Sequence, residues 1–210
     1  MGYFILQPFP LTVSLASPIH SARWDAEVSP PVGWSVFQPE TLTNRPQTIQ
    51  LQGLDVVGPS GLLTHASDAG IVAIFSEPPQ RKISAGCVTT TLTVAARDLP
   101  ASFEARDASQ AYALARSVVS TADLTLNRIG ETRNLKRTDG VGLQARYTYL
   151  QSHEGAAVDL SIAVAALVVP VQRRCFLITL TAPSSTFHRY ERLFNQVVDS
   201  FQITSRPSRN

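Results

Sequence analysis

At 210 residues, with 44% hydrophobic and 16% charged side chains, the chain fits one domain with short extensions and can bury a full core. Its net charge is +2, and the basic residues occur as scattered pairs such as Arg81-Lys82 and Arg173-Arg174 rather than as a stripe, which argues against nucleic acid as a partner. The most apolar run, Val158 to Val169, is too short to span a bilayer and alternates like a strand, so any membrane association is expected to be peripheral.

The first 22 residues, MGYFILQPFPLTVSLASPIHSA, are apolar and Pro-rich. They share the apolar content of a signal segment but lack its positive start, and Pro8, Pro10 and Pro18 interrupt them. The expectation is an arm held against a core or a partner, followed by one domain over 23–204 and a tail over 205–210. Tyr3, Phe4 and Phe9 in the arm, with Trp24 and Trp34 just beyond it, are the candidate partner contacts, because each offers a large apolar anchor.

Arg23 to Val28 reads as a short strand, and Pro30-Pro31-Val32-Gly33-Trp34 as an extended segment with a bend at its glycine. Thr48 to Val57 is strand-like, Pro59 to Gly70 is loop, and Gly70 to Phe75 is a buried strand closed by Pro78-Pro79. Val88 to Ala96 alternates, with Val88, Thr90, Leu92 and Val94 on one face. Asp107 then caps a helix from Ala108 to about Ser120, with Tyr112, Ala115 and Val119 along one face.

The second half carries stronger signals. Thr132 to Thr138 and Val141 to Gln151 flank Asp139-Gly140, a dipeptide that favours a two-residue hairpin turn. His153-Glu154-Gly155 and the turn around Pro170 join three consecutive antiparallel strands, a meander. Pro183 ends the last of them, and Ser184 or Ser185 can cap the helix that follows. In that helix Phe187, Tyr190, Phe194, Val197 and Phe201 form an apolar stripe, leaving Arg189, Glu191, Arg192 and Asn195 outside. The small residues on the back of the Val158–Val169 strand point to cover by the Ala108–Ser120 helix. The whole reads as an α+β fold, an antiparallel sheet with helices on both faces.

No catalytic or metal constellation stands out. His20, His65, His153 and His188 are isolated, and no second ligand sits at metal spacing. There is no Gly-x-Ser-x-Gly elbow, and Gly58-Pro59-Ser60-Gly61 has no lysine at phosphate-loop spacing. Cys87 and Cys175 both lie in expected strands, where a free thiol packs as a small hydrophobe. A disulfide between them needs Cα atoms within about 7 Å. The expectation is a chain that binds rather than catalyses, without a cofactor.

In order along the chain, Pro30-Pro31-Val32-Gly33-Trp34, Asp139-Gly140, Tyr147 with Tyr149, and Val197-Val198-Asp199-Ser200-Phe201 resemble the PsbP-like superfamily. The resemblance runs from about Val88 to Ile203 and is thin from Arg23 to Phe75. Two features depart from the pattern: Pro170-Val171-Gln172-Arg173 replaces the glycine of the last hairpin, and no lipoprotein cysteine stands near the start. The resemblance implies an α/β/α sandwich and an accessory or assembly role. Members include extrinsic lumenal photosystem subunits, bacterial envelope lipoproteins, secretion chaperones and a nuclear-transport cofactor. It implies protein subunits of a larger, photosynthetic complex as partners and the thylakoid lumen as location. The alternative is a DcrB-like bacterial protein of the periplasm or cytoplasm that binds a client protein or a small ligand.

Overall fold

The computed structural model describes residues 14–38, 70–78, 89–99, 103, 108–123, 126–153 and 156–204. Tyr3, Phe4, Phe9, His65, Cys87 and Asp107, the Thr48–Val57 strand, most of the Pro59–Gly70 loop and the tail lie outside them. The described strands are β1 (Ile19–Ser21), β2 (Ala26–Val28), β3 (Ser35–Phe37), β4 (Gly70–Ser76), β5 (Thr91–Asp98), β6 (Asn127–Arg128), β7 (Arg133–Leu135), β8 (Val141–His153), β9 (Ala156–Val169), β10 (Arg174–Pro183) and β11 (Gln202–Ile203). Helix α1 (Ala108–Asp123) follows β5, and a 3-10 turn (Phe187–Arg189) leads into helix α2 (Glu191–Ser200).

Eight strands make the main sheet, in the order β3-β4-β5-β10-β9-β8-β6, with β7 also on β8. Strands β8, β9 and β10 are the meander expected from the alternation, and β5 joins it from the far side, Thr93 opposite Thr179. A small second sheet, β1-β2-β11, pairs the start of the domain with its end through Ala26 opposite Ile203.

The main sheet is covered on both sides, as the alternation requires. One face carries Leu167, Phe176, Ile178 and Leu180 against α2 and the small sheet; the other carries Ile162, Val164, Val168 and Cys175 against α1. Burying each of the larger side chains stabilises the fold by about 1.5–3 kcal/mol. The expected face assignment of β9 is reversed. Its small residues Ala163 and Ala165 lie under α2, where Phe187 and Phe194 supply the bulk. Its branched residues meet α1, which answers with Ala111 and Ala115. Small residues on the sheet are thus matched by large ones on the helix, and the reverse.

Other local expectations are also corrected. The buried stripe of α1 runs through Ala111, Ala115 and Val119, and Tyr112 is 41% exposed. The Asp139-Gly140 turn is wider than two residues, because β7 and β8 stop pairing at Leu135 opposite Gly142. Gly140 is not in the left-handed region that such a turn requires. It is needed because a Cβ there would strike the backbone carbonyl of Val168. Neither Ser184 nor Ser185 caps the last helix: Tyr190 occupies the cap position of α2, without a side-chain cap bond. Ser184 instead shares a 2.9 Å hydrogen bond with Ser161, tying the turn to β9.

Candidate functional site

Of the nominated partner contacts, Tyr3, Phe4 and Phe9 lie outside the described residues, and Trp24 and Trp34 pack within the fold. Trp24 is 4% exposed, so it belongs to the chain's own core. Its ring packs against Gly70, where a Cβ would collide with it, and lies beneath the guanidinium groups of Arg23 at 4.9 Å and Arg174 at 5.5 Å. Arg174 is itself held by Asp25 at 3.1 Å. Trp34 is half-buried and meets Tyr190 edge-on at 6.2 Å. The Tyr190 hydroxyl in turn donates to the Glu77 carboxylate at 2.7 Å. Both tryptophans therefore fasten the early strands to the rest of the fold.

Among the described residues no three of His, Cys, Asp and Glu come together as a metal site. His20 lies 3.6 Å from Glu27 on β1 and β2, His188 is exposed on the 3-10 turn, and nothing is described of the His153 side chain. Cys175 is a free, buried thiol.

A groove between β8 and α2 brings polar chemistry together instead. Along β8, Leu143, Ala145 and Tyr147 point to the α1 side, and the Tyr147 hydroxyl donates to the Val119 carbonyl at 2.7 Å. Gln144 and Arg146 alternate with them and therefore face α2. Their neighbours across the ladder are Ala165 and Ala163, whose small side chains leave space beside them. One turn apart on α2, Glu191 and Asn195 look across at this pair. Gln144 Nε2 donates to Asn195 Oδ1 at 3.1 Å, and Arg146 Nη1 meets Glu191 Oε1 at 2.6 Å. The Arg146 guanidinium lies 5.3 Å above the Phe187 ring.

The third wall is the link between β6 and β7. There the Ile129 N–H donates to the Arg146 carbonyl at 2.8 Å, and Gly130, at φ +72°, lets the chain bend. Ile129, Glu131 and Arg133 form that rim, enclosing about 230 Å³ of half-open space. Two buried atoms beside it have no hydrogen-bond partner: the acceptor Gln144 Oε1 and the donor Arg146 Nε. Leaving such a group unpaired costs about 1–3 kcal/mol, which makes both atoms candidates for a missing partner. The site was not read from the sequence. The available signal is the alternation of Gln144 and Arg146 with apolar residues on a strand covered on both faces.

No family model and no curated protein sequence matches the chain. Solved structures do resemble it. The Ran-binding protein Mog1p of Saccharomyces cerevisiae is 11% identical, with 92% of this chain and 97% of that one aligned at a TM-score of 0.50. The chain has the PsbP-like fold. Cyanobacterial PsbP (CyanoP) from Synechocystis is 13% identical over 95% of this chain and 98% of its own, with a TM-score of 0.48. LpqN, involved in cell envelope biogenesis of Mycobacterium tuberculosis, is 12% identical over 92% of both chains, with a TM-score of 0.43. In this PsbP-like fold no described helix is long and apolar enough to cross a membrane.

Proposed function

We propose that this chain is a non-catalytic binding module, an accessory or assembly subunit that engages another protein at the groove between β8 and α2. The observation that carries the proposal is the unpaired acceptor and donor, Gln144 Oε1 and Arg146 Nε, beside a half-open space between sheet and helix. The acid and the base that border it, Glu191 and Arg146, are engaged with each other at 2.6 Å, an arrangement suited to holding a group rather than transferring a proton.

In its finer form the proposal places the protein on the lumenal side of a large photosynthetic membrane complex. That form rests on the resemblance of the last pair of strands and the helix, from Val158 to Phe201, to photosynthetic members of the superfamily. The test is the native mass of the tagged chain in a fresh extract of its own cells. We expect a particle well above the 22.8 kDa of the chain, reduced to the free chain by Arg146→Ala combined with Glu191→Ala. Co-migrating pigment would support the photosynthetic form. A particle without pigment that contains a secreted client would replace it with the chaperone form. A wild-type chain that runs as a monomer overturns the module reading.

A further inference from the structure

We infer that the group which completes the groove is a carboxamide, the side chain of an asparagine or glutamine carried by the partner protein. This rests on the reading of the groove as a protein contact. The unmet needs are one acceptor, Gln144 Oε1, and one donor, Arg146 Nε. The two side chains leave the same face of β8 two residues apart, about 7 Å along the strand. A carboxamide has an N–H for the first and a C=O for the second, and with two hydrogen bonds of about 2.9 Å it bridges that spacing.

Charged groups satisfy only half of the pair. A carboxylate has no hydrogen to give Gln144 Oε1, and an ammonium has no acceptor for Arg146 Nε. A hydroxyl can donate and accept but is too short to span both sites. Charge does not select an ion either. Arg146 is neutralised by Glu191, and the rim adds one acid, Glu131, and one base, Arg133. The space is half open, so a slim planar group can enter over Ala163, beside Phe187 and Phe194, with Arg146 Nε left in place.

The experiment is a titration of the full ¹⁵N-labelled chain, followed by NMR, with N-acetylglutamine N-methylamide as probe. The matching glutamate, lysine and methionine derivatives run in parallel. We expect saturable shifts confined to 129–133, 144–146 and 191–195 with the glutamine probe, at a dissociation constant on the order of millimolar for so small a ligand. Gln144→Met removes the acceptor at similar length. Arg146→Lys keeps the charge opposite Glu191 but loses the Nε–H. Each should weaken the glutamine probe by about tenfold, with a melting temperature near that of the parent. Equal binding of the glutamate or lysine derivative, or unchanged binding by both variants, overturns the inference. A chain that takes the glutamine probe but runs free in extracts retires the protein-partner reading and leaves the carboxamide site standing. A chain held in a large particle that ignores the probe retires the carboxamide site alone.

Discussion

Cys175 sits at the interface of β10 with α1, and burial pushes its thiol up to about 11 against the opposing influence of Arg97. A shift from the ordinary 9.0 leaves about a hundredfold less thiolate near neutral pH. In a Cys87→Ser background, labelling by a thiol reagent at pH 8 should be slower in buffer than in denaturant by at least that factor. Comparable rates would place the thiol outside the core. Asp139 shows the opposite balance. Burial alone would raise its carboxyl, but the Arg137 guanidinium, at 2.7 and 2.6 Å, holds it below the usual carboxylate range. A carboxyl lowered in the folded state stabilises it fully above the unfolded value near 4, and the contribution disappears as pH falls through the lower folded value. Melting temperature should therefore fall more steeply below about pH 4 for the wild type than for Asp139→Asn; parallel curves would count against the pairing. The Cys175 environment cannot be read from the residues in order, since Arg97 lies far along the chain from it. Trp24 teaches the same lesson: a tryptophan near an extended arm looks the same in sequence whether it anchors a partner or meets Gly70 in its own core.

Periodicity along single elements was legible, and contacts between elements were not. The stripe of the last helix, from Phe187 to Phe201, and the alternation of β8 and β10 correspond to the observed burial, whereas β9 is buried on both faces from Leu160 to Val169. Which helix covers which face of β9 depended on matching side-chain sizes across layers, and a strand read alone does not contain that match. The groove was missed for the same reason. Gln144 and Arg146 look like solvent-facing positions until α2 lies over them. Asp139-Gly140 was over-read, since its turn preference is real but yields to the ion pair with Arg137 and to the approach of β9. This separates two roles for Gly140. If it serves a left-handed turn, Gly140→Asn should be tolerated. If it makes room for the Val168 carbonyl, Asn and Ala should both cost about 1–3 kcal/mol in urea unfolding. We expect the second outcome.

The order and class of the architecture, an antiparallel α+β sandwich, followed from the succession of patterns along the chain. The small sheet did not, because β1, β2 and β11 have only three, three and two residues and leave almost no periodic trace. It is nevertheless where distant parts of the domain meet. Ser200 Oγ accepts from the Ser29 N–H at 3.1 Å, Arg137 donates to the Phe201 carbonyl at 3.2 Å, and the Phe201 ring packs on Phe176 at 4.8 Å. Ending the chain at Ser200 removes β11 and the Phe201 ring together. We expect a loss of about 3–5 kcal/mol in urea unfolding, a large share of a typical domain's stability, with a red-shifted Trp24 emission in a Trp34→Phe background. An unchanged midpoint would mean that the small sheet is dispensable. The pairing of β2 with β11 also imposes a timetable on the nascent polypeptide. β2 leaves the ribosome well before β11 and waits for that neighbour until Gln202 and Ile203 have been translated. Until then β2 has only β1 to pair with, so the small sheet is the part of the fold whose strand pairing is completed last.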